Sequence, residues 1–319
     1  MADSLNSTGV DDVEAGIRLF QQRCSADYER LAFAAVTDMG EKRRIAEAVR
    51  APWAAGGPAM AQSTDRRAGD MDVAVRIHQP VDDAGLPVLI YIHGGGWMLF
   101  SIDSHDRLMR EYAARAGVTV IGVDYSLAPE AQFPVPLYEI LSVVRWLRGP
   151  ARGEGIAPSR VAIGGDSAGA NLAIATNLAL KQAGQSVLDA QLLNYGAFDP
   201  DRRPSWGRFG GSAYGLTTDE MDDFWANYLP TESNRDPLAR PLLADLSGLP
   251  PTYLCIAECD ILADENKAMA SELKSSGVAV TVQLYAGATH SFLEAVSVSP
   301  LADRALADAS DWLAGVFER

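Results

Sequence analysis

A chain of 319 residues is long enough for one large domain with insertions. Its 48% hydrophobic and 22% charged residues are the balance of a folded globular protein, which excludes a disordered chain. With 27 basic against 42 acidic residues and a formal net charge of −15, and with no block of Lys or Arg, it offers nothing for nucleic acid to bind.

From the N-terminus, "MADSLNSTGVDDVEAG" is polar and acidic and lacks the basic start and apolar centre of a secretion signal. Together with the lack of any apolar run of bilayer length, this sets the expectation of a cytoplasmic protein with no membrane partner. Ile17, Phe20, Cys24, Tyr28 and Leu31 fall three or four apart, the spacing of one helical face, and predict two helices between about residues 12 and 50. Residues 51–70, rich in Ala, Gly and Pro, read as a linker.

Strands then alternate with helices. "MDVAVRIHQ" and "LPVLIYIH" read as strands, the second apolar enough to be buried on both faces. A helix over "SHDRLMREYAARAG" stops at Gly117, and strand "VTVIGVD" and helix "PVPLYEILSVVRWLRG" follow. "SRVAIGG" is a strand, "ANLAIATNLALKQAG" a helix and "VLDAQLLNYG" a strand. Residues 198–238 break the alternation with Asp-Pro, Arg-Pro, Gly-Gly and aromatic residues, and read as an insertion. Strand "PTYLCIA", helix "DENKAMASELKSSG", strand "VAVTVQLYAG" and a last helix from Pro300, capped by Ser299, complete the pattern. The order implies an α/β fold with a mostly parallel central sheet between helices.

Chemistry concentrates in four places. Gly165-Asp166-Ser167-Ala168-Gly169 lies where a strand turns into a helix, so the turn exposes the serine and the helix N-terminus faces any oxyanion formed there. "GGSAY", containing Ser212, follows no strand and lacks the last glycine, so it is set aside. His93-Gly94-Gly95-Gly96 ends a buried strand, and the amides of Gly94, Gly95 and Ala168 are the expected oxyanion donors, with His93 bracing the loop. A serine needs a base, and His290 is the only histidine after Ser167, whereas His78 and His105 read as structural or exposed. For the acid, "LCIAECDILADE" offers Glu258, Asp260, Asp264 and Glu265; Asp260 sits at the strand end, with Glu258 and Asp264 as weaker alternatives. Ser167, Asp260 and His290 run in the order of α/β-hydrolases.

Cys24, Cys255 and Cys259 are too few for a disulfide framework and read as reduced thiols, the last two half-buried. Neither they nor the four histidines form a metal-binding pattern, so no metal or cofactor is expected.

Taken together, "HGGGW", "DYSLAPE", "GDSAGAN", "ECDILADE" and "THSF" resemble the hormone-sensitive-lipase-like esterases, the bacterial family IV branch of the α/β-hydrolases. The resemblance spans residues 70–319 and implies a serine carboxylic ester hydrolase acting on small, short-acyl esters, with no cofactor or metal. It also implies a helical cap, formed by residues 1–50 and the insertion at 198–238, and a possible homodimer. Trp97, Phe100, Tyr195, Phe209 and Phe224 are the side chains expected against substrate. Asp124 and Glu130 are expected to fix the loop beneath the site. The chain departs from the family pattern at Ala170 and Phe100, where glycine is usual, at Ser126, where arginine is, and at Ile261, where proline is. The alternatives are an amidase or arylformamidase on the same fold, or a non-catalytic small-molecule receptor. Asp166 favours an esterase over the first, and His290 argues against the second.

Overall fold

The computed structural model describes residues 12–318. Two helices come first, α1 (Ala15–Arg30) and α2 (Met39–Ala54), each started by an acidic cap: Glu14 accepts from the Ile17 amide and Asp38 from the Glu41 amide. Residues 1–11, part of the expected cap, lie outside the described residues.

Eight strands follow: β1 (Gln62–Ala68), β2 (Val73–Gln79), β3 (Val88–Ile92), β4 (Thr119–Asp124), β5 (Val161–Asp166), β6 (Ala190–Asn194), β7 (Thr252–Ala257) and β8 (Val280–Tyr285). They form one sheet in the order β1-β2-β4-β3-β5-β6-β7-β8. All pairings from β4 to β8 are parallel, and β2 pairs antiparallel with both β1 and β4. This is the expected α/β-hydrolase fold. It corrects one expectation, because the linker at 51–70 contains β1 and the end of α2. As an edge strand, β1 has polar side chains largely in solvent and is held by its ladder to β2, so no apolar alternation marks it.

The central strands are buried on both faces, and alternate residues divide between two cores. On β3, Val88, Ile90 and Ile92 join one cluster, whereas Leu89 and Tyr91 join the other. The first cluster is covered by α4 (Val135–Arg148), α5 (Ala168–Gln182) and α8 (Ala263–Ser275). The second is covered by α3 (Asp106–Ala116) and α9 (Pro300–Phe317), joined by Ile17 and Phe20 of α1. Burying one such aliphatic side chain contributes about 2 kcal/mol. The insertion holds α6 (Pro204–Phe209) and α7 (Thr218–Tyr228), the latter opened by a Thr217–Glu220 capping box.

The N-terminal helices are stitched to distant parts of the chain. The Glu14 amide donates to Gly287 O at 3.0 Å, Gln21 Nε2 to Thr289 Oγ1 at 2.7 Å, and Ser299 Oγ to Glu14 Oε2 at 2.7 Å. Arg43 on α2 reaches the carbonyls of Met98 and Ala128 and the carboxylate of Glu130. Glu130 therefore helps to fix its loop by tying it to α2. Among the described residues no helix is long and apolar enough to cross a membrane.

Candidate active site

Every group singled out for chemistry lies on a loop at the C-terminal end of a parallel strand, on both sides of the point where the strand order reverses. Ser167 joins β5 to α5 with φ 53° and ψ −119°, a conformation that costs a non-glycine residue about 1–3 kcal/mol. The turn persists because backbone surrounds it. Its amide donates to Asn194 O at 2.9 Å, and a Cβ on Gly165 or Gly169 would lie 2.3 or 2.0 Å from Ile92 O. Only glycine lets β3, β5 and α5 approach this closely.

His290 follows β8 and directs Nε2 to Ser167 Oγ at 3.0 Å. Its Nδ1 donates to Asp260 Oδ2 at 2.8 Å. The other Asp260 oxygen accepts the Leu262 amide at 2.9 Å, which aims a carboxylate only 1% exposed. The three groups thus form one line of hydrogen bonds. Of the weaker acid candidates, Glu258 accepts from the Gly287 amide, and Asp264 pairs with Arg208 and Lys267.

The glycine loop after β3 corrects a detail. The Gly94 amide donates to Asp166 Oδ1 at 3.2 Å, so it is already occupied. Gly95 and Gly96 face the cavity instead, and their amides, like that of Ala168, meet no acceptor among the described residues. Asp166 also accepts from Tyr91 Oη at 2.9 Å and faces His105 Nε2 at 3.4 Å. Burial opposes charge on both partners, but their attraction outweighs it: the Asp166 pKa is lowered and that of His105 raised. Of the two expectations for His105, structural or exposed, the buried pairing with Asp166 answers to the first. His93 donates from Nδ1 to Gly94 O at 2.8 Å and stacks on Tyr125 at 4.4 Å, which braces the loop as expected. Burial pulls its pKa down to about 3, so it stays neutral.

Above Ser167 and His290 lies a cavity of about 460 Å³. Phe100 and Phe224 line it, as expected, but Trp97, Tyr195 and Phe209 do not. Trp97 stacks flat on Tyr228 at 4.2 Å, Phe209 packs edge-on to Tyr214 at 5.1 Å, and Tyr195 backs the His290 ring at 5.2 Å. These rings find their partners inside the protein. The facing wall comes from Phe20, Cys24 and Tyr28 of α1, Arg50 of α2, and Leu216. Sequence reading placed the α1 residues on one helical face without assigning them to the site, and it passed over Arg50.

Ala170, the departure beside the serine, is fully buried in the first core and lies in the first turn of α5. Ser126 bonds to Glu139 through both its amide and hydroxyl. Cys255 and Cys259 are fully rather than half buried. No cluster of three or more His, Cys, Asp or Glu among the described residues is placed to hold a metal ion.

A family model described as the α/β hydrolase fold matches residues 89–294. The chain is 40% identical over 241 residues to ethyl acetate hydrolase from Pseudomonas putida, covering 73% of this chain and 75% of that one. It is 34% identical over 265 residues to acetyl esterase from Salmonella schwarzengrund, covering 80% of each. A thermophilic and thermostable carboxylesterase cloned from a metagenomic library superposes with a TM-score of 0.85 at 31% identity, covering 89% of this chain and 99% of that one.

Proposed function

The chain belongs to the hormone-sensitive-lipase-like, family IV branch of the α/β-hydrolase fold and is a carboxylesterase; we propose that it cleaves small, short-acyl esters through Ser167, His290 and Asp260. In this reading Ser167 Oγ attacks the ester carbonyl while His290 Nε2 takes its proton. Asp260 holds the Nδ1–H and balances the imidazolium that forms. The amides of Gly95, Gly96 and Ala168 receive the oxyanion, helped by the N-terminus of α5. His290 then protonates the departing alcohol, and water repeats the sequence in reverse to release the acid and free serine.

The observation that carries this reading is the unbroken line from Asp260 to His290 at 2.8 Å and on to Ser167 at 3.0 Å, with Ser167 and His290 both opening on the cavity. Short acyl groups suit the place where Phe224 crowds Gly96: a Cβ on that glycine would sit 2.3 Å from the ring. The similarity to an ethyl acetate hydrolase and an acetyl esterase supports the same preference. The N-terminal helices and the 198–238 insertion act as a cap that shields the acyl-enzyme from bulk water.

Hydrolysis of p-nitrophenyl acetate and butyrate tests the assignment. Ser167→Ala is expected to lower kcat by roughly 10⁴- to 10⁶-fold with an unchanged circular dichroism spectrum and melting temperature. Turnover within tenfold of the parent would remove Ser167 as nucleophile.

A further inference from the structure

One side of the cavity has a feature that ester cleavage does not require. Arg50 of α2 lines it although its side chain is only 11% exposed. Its guanidinium carbon lies 4.9 Å from the centroid of Phe20 and 5.1 Å from that of Phe100, two rings that also line the cavity. Aromatic contact occupies the faces of the guanidinium and leaves its N–H edge for directional bonds. That edge is poorly used. Nη1 donates to Cys24 Sγ at 3.6 Å and lies 3.6 Å from Glu294 Oε2, beyond hydrogen-bond length, while Nε meets no acceptor among the described residues. A guanidinium carries five donors, and buried donors without acceptors destabilise a fold unless a ligand or water meets them.

Phe100 supports Arg50 at a cost. Its φ of +71° is in the left-handed region that side chains disfavour, and its ring lies against Gly95, within 2.8 Å of where a Cβ would be. The ring is therefore a spacer between the glycine loop and the guanidinium, which sets Arg50 one ring's width from that loop in the cavity that Ser167 shares. Burial works against the charge, but Glu294 together with Cys24, Tyr28 and Tyr195 outweighs it and the net pKa shift is upward, so Arg50 stays cationic. Glu294 stands behind it, and Glu29 and Glu220 line the cavity as well. One cation among three carboxylates is a poor site for another anion and a good donor to a neutral oxygen.

We propose that Arg50 is a specificity residue that recognises a second, neutral carbonyl in the substrate, so that this esterase favours keto esters and diesters over simple alkyl esters. The proposal rests on the esterase reading above. Its test is the ratio of kcat/KM for matched pairs differing by one carbonyl in place of a methylene: p-nitrophenyl 4-oxopentanoate against pentanoate, and 2-oxopropyl acetate against propyl acetate. The parent, Arg50→Met and the double variant Arg50→Met with Glu294→Gln are compared; the double variant removes the buried carboxylate left without a counter-charge. Intrinsic reactivity cancels when the ratio is compared between proteins. In at least one pair the oxo-to-methylene ratio is expected to fall about tenfold in both variants. A ratio unchanged within twofold in both pairs overturns the proposal. So does a preference for mono-p-nitrophenyl glutarate over p-nitrophenyl hexanoate that alone vanishes with Arg50, since the site would then select an anion. If the parent cleaves none of these esters, the esterase reading fails and the proposal with it.

Discussion

The floor and the wall of the cavity are held in place by different means. On the floor, Ser167, the glycine loop, Asp260 and His290 sit on loops leaving β5, β3, β7 and β8, and backbone contacts of fixed length set their positions. The wall is made of side chains from α1, α2 and the insertion, resting on one another by apolar and aromatic contact. A floor of this kind tolerates almost no substitution, because a chemical step is sensitive to displacements of an ångström. A wall of this kind can change shape while the chemistry beneath it continues.

Substitutions on either side can sharpen or break this contrast. After Ser167→Ala, the largest effect is expected from Asp260→Asn, which frees His290 to take the wrong tautomer; kcat for p-nitrophenyl butyrate should fall about 10⁴-fold while KM changes little. A loss below tenfold would mean that the floor is less exacting than its geometry. Asp166→Asn keeps an oxygen for the Gly94 amide but removes the charge that faces His105, and should lower stability by about 2–3 kcal/mol in urea unfolding. Its pH dependence follows from the two shifts. The lowered Asp166 pKa makes its contribution complete above the ordinary carboxylate value, and the raised His105 pKa makes its own complete below the ordinary histidine value. The stability gap should therefore be widest between about pH 4 and 6.5 and narrow as pH rises through the elevated His105 pKa. A gap constant from pH 5 to 9 would count against a charged pair. The smallest effect belongs to the wall: Phe224→Ala should move the preferred p-nitrophenyl acyl chain two or three carbons longer and lower kcat/KM for acetate by no more than about tenfold. A far larger loss on acetate would show that wall and floor are one unit.

The same contrast governs what could be read in the sequence. The floor was legible because close backbone approach leaves glycines at set spacings, and the single histidine after Ser167 left little choice of base. Within it, the three glycines after His93 look alike as letters; only the Asp166 carboxylate, brought in from another strand, separates Gly94 from the two that face the cavity. The wall was harder to read. An aromatic residue beside a motif suits a pocket and a core equally, and Trp97, Tyr195 and Phe209 went to the core because other rings lay ready to stack on them. Phe20, Cys24 and Tyr28 share a face that both buries against the sheet side and opens on the cavity. Strand β1 was missed because an edge strand is held by backbone pairing and shows no apolar rhythm.

The bonds that fasten α1 to residues 287–299 bear on how the protein is made. Glu14 and Gln21 leave the ribosome long before their partners Gly287, Thr289 and Ser299. Translation at about 5–20 residues per second leaves the first helix waiting roughly 15 to 60 s, with its apolar face uncovered while the sheet assembles. Closing the cavity thus waits until residues 287–299 have emerged, and a nascent chain stalled before residue 287 would display the serine turn without the surface that is to enclose it.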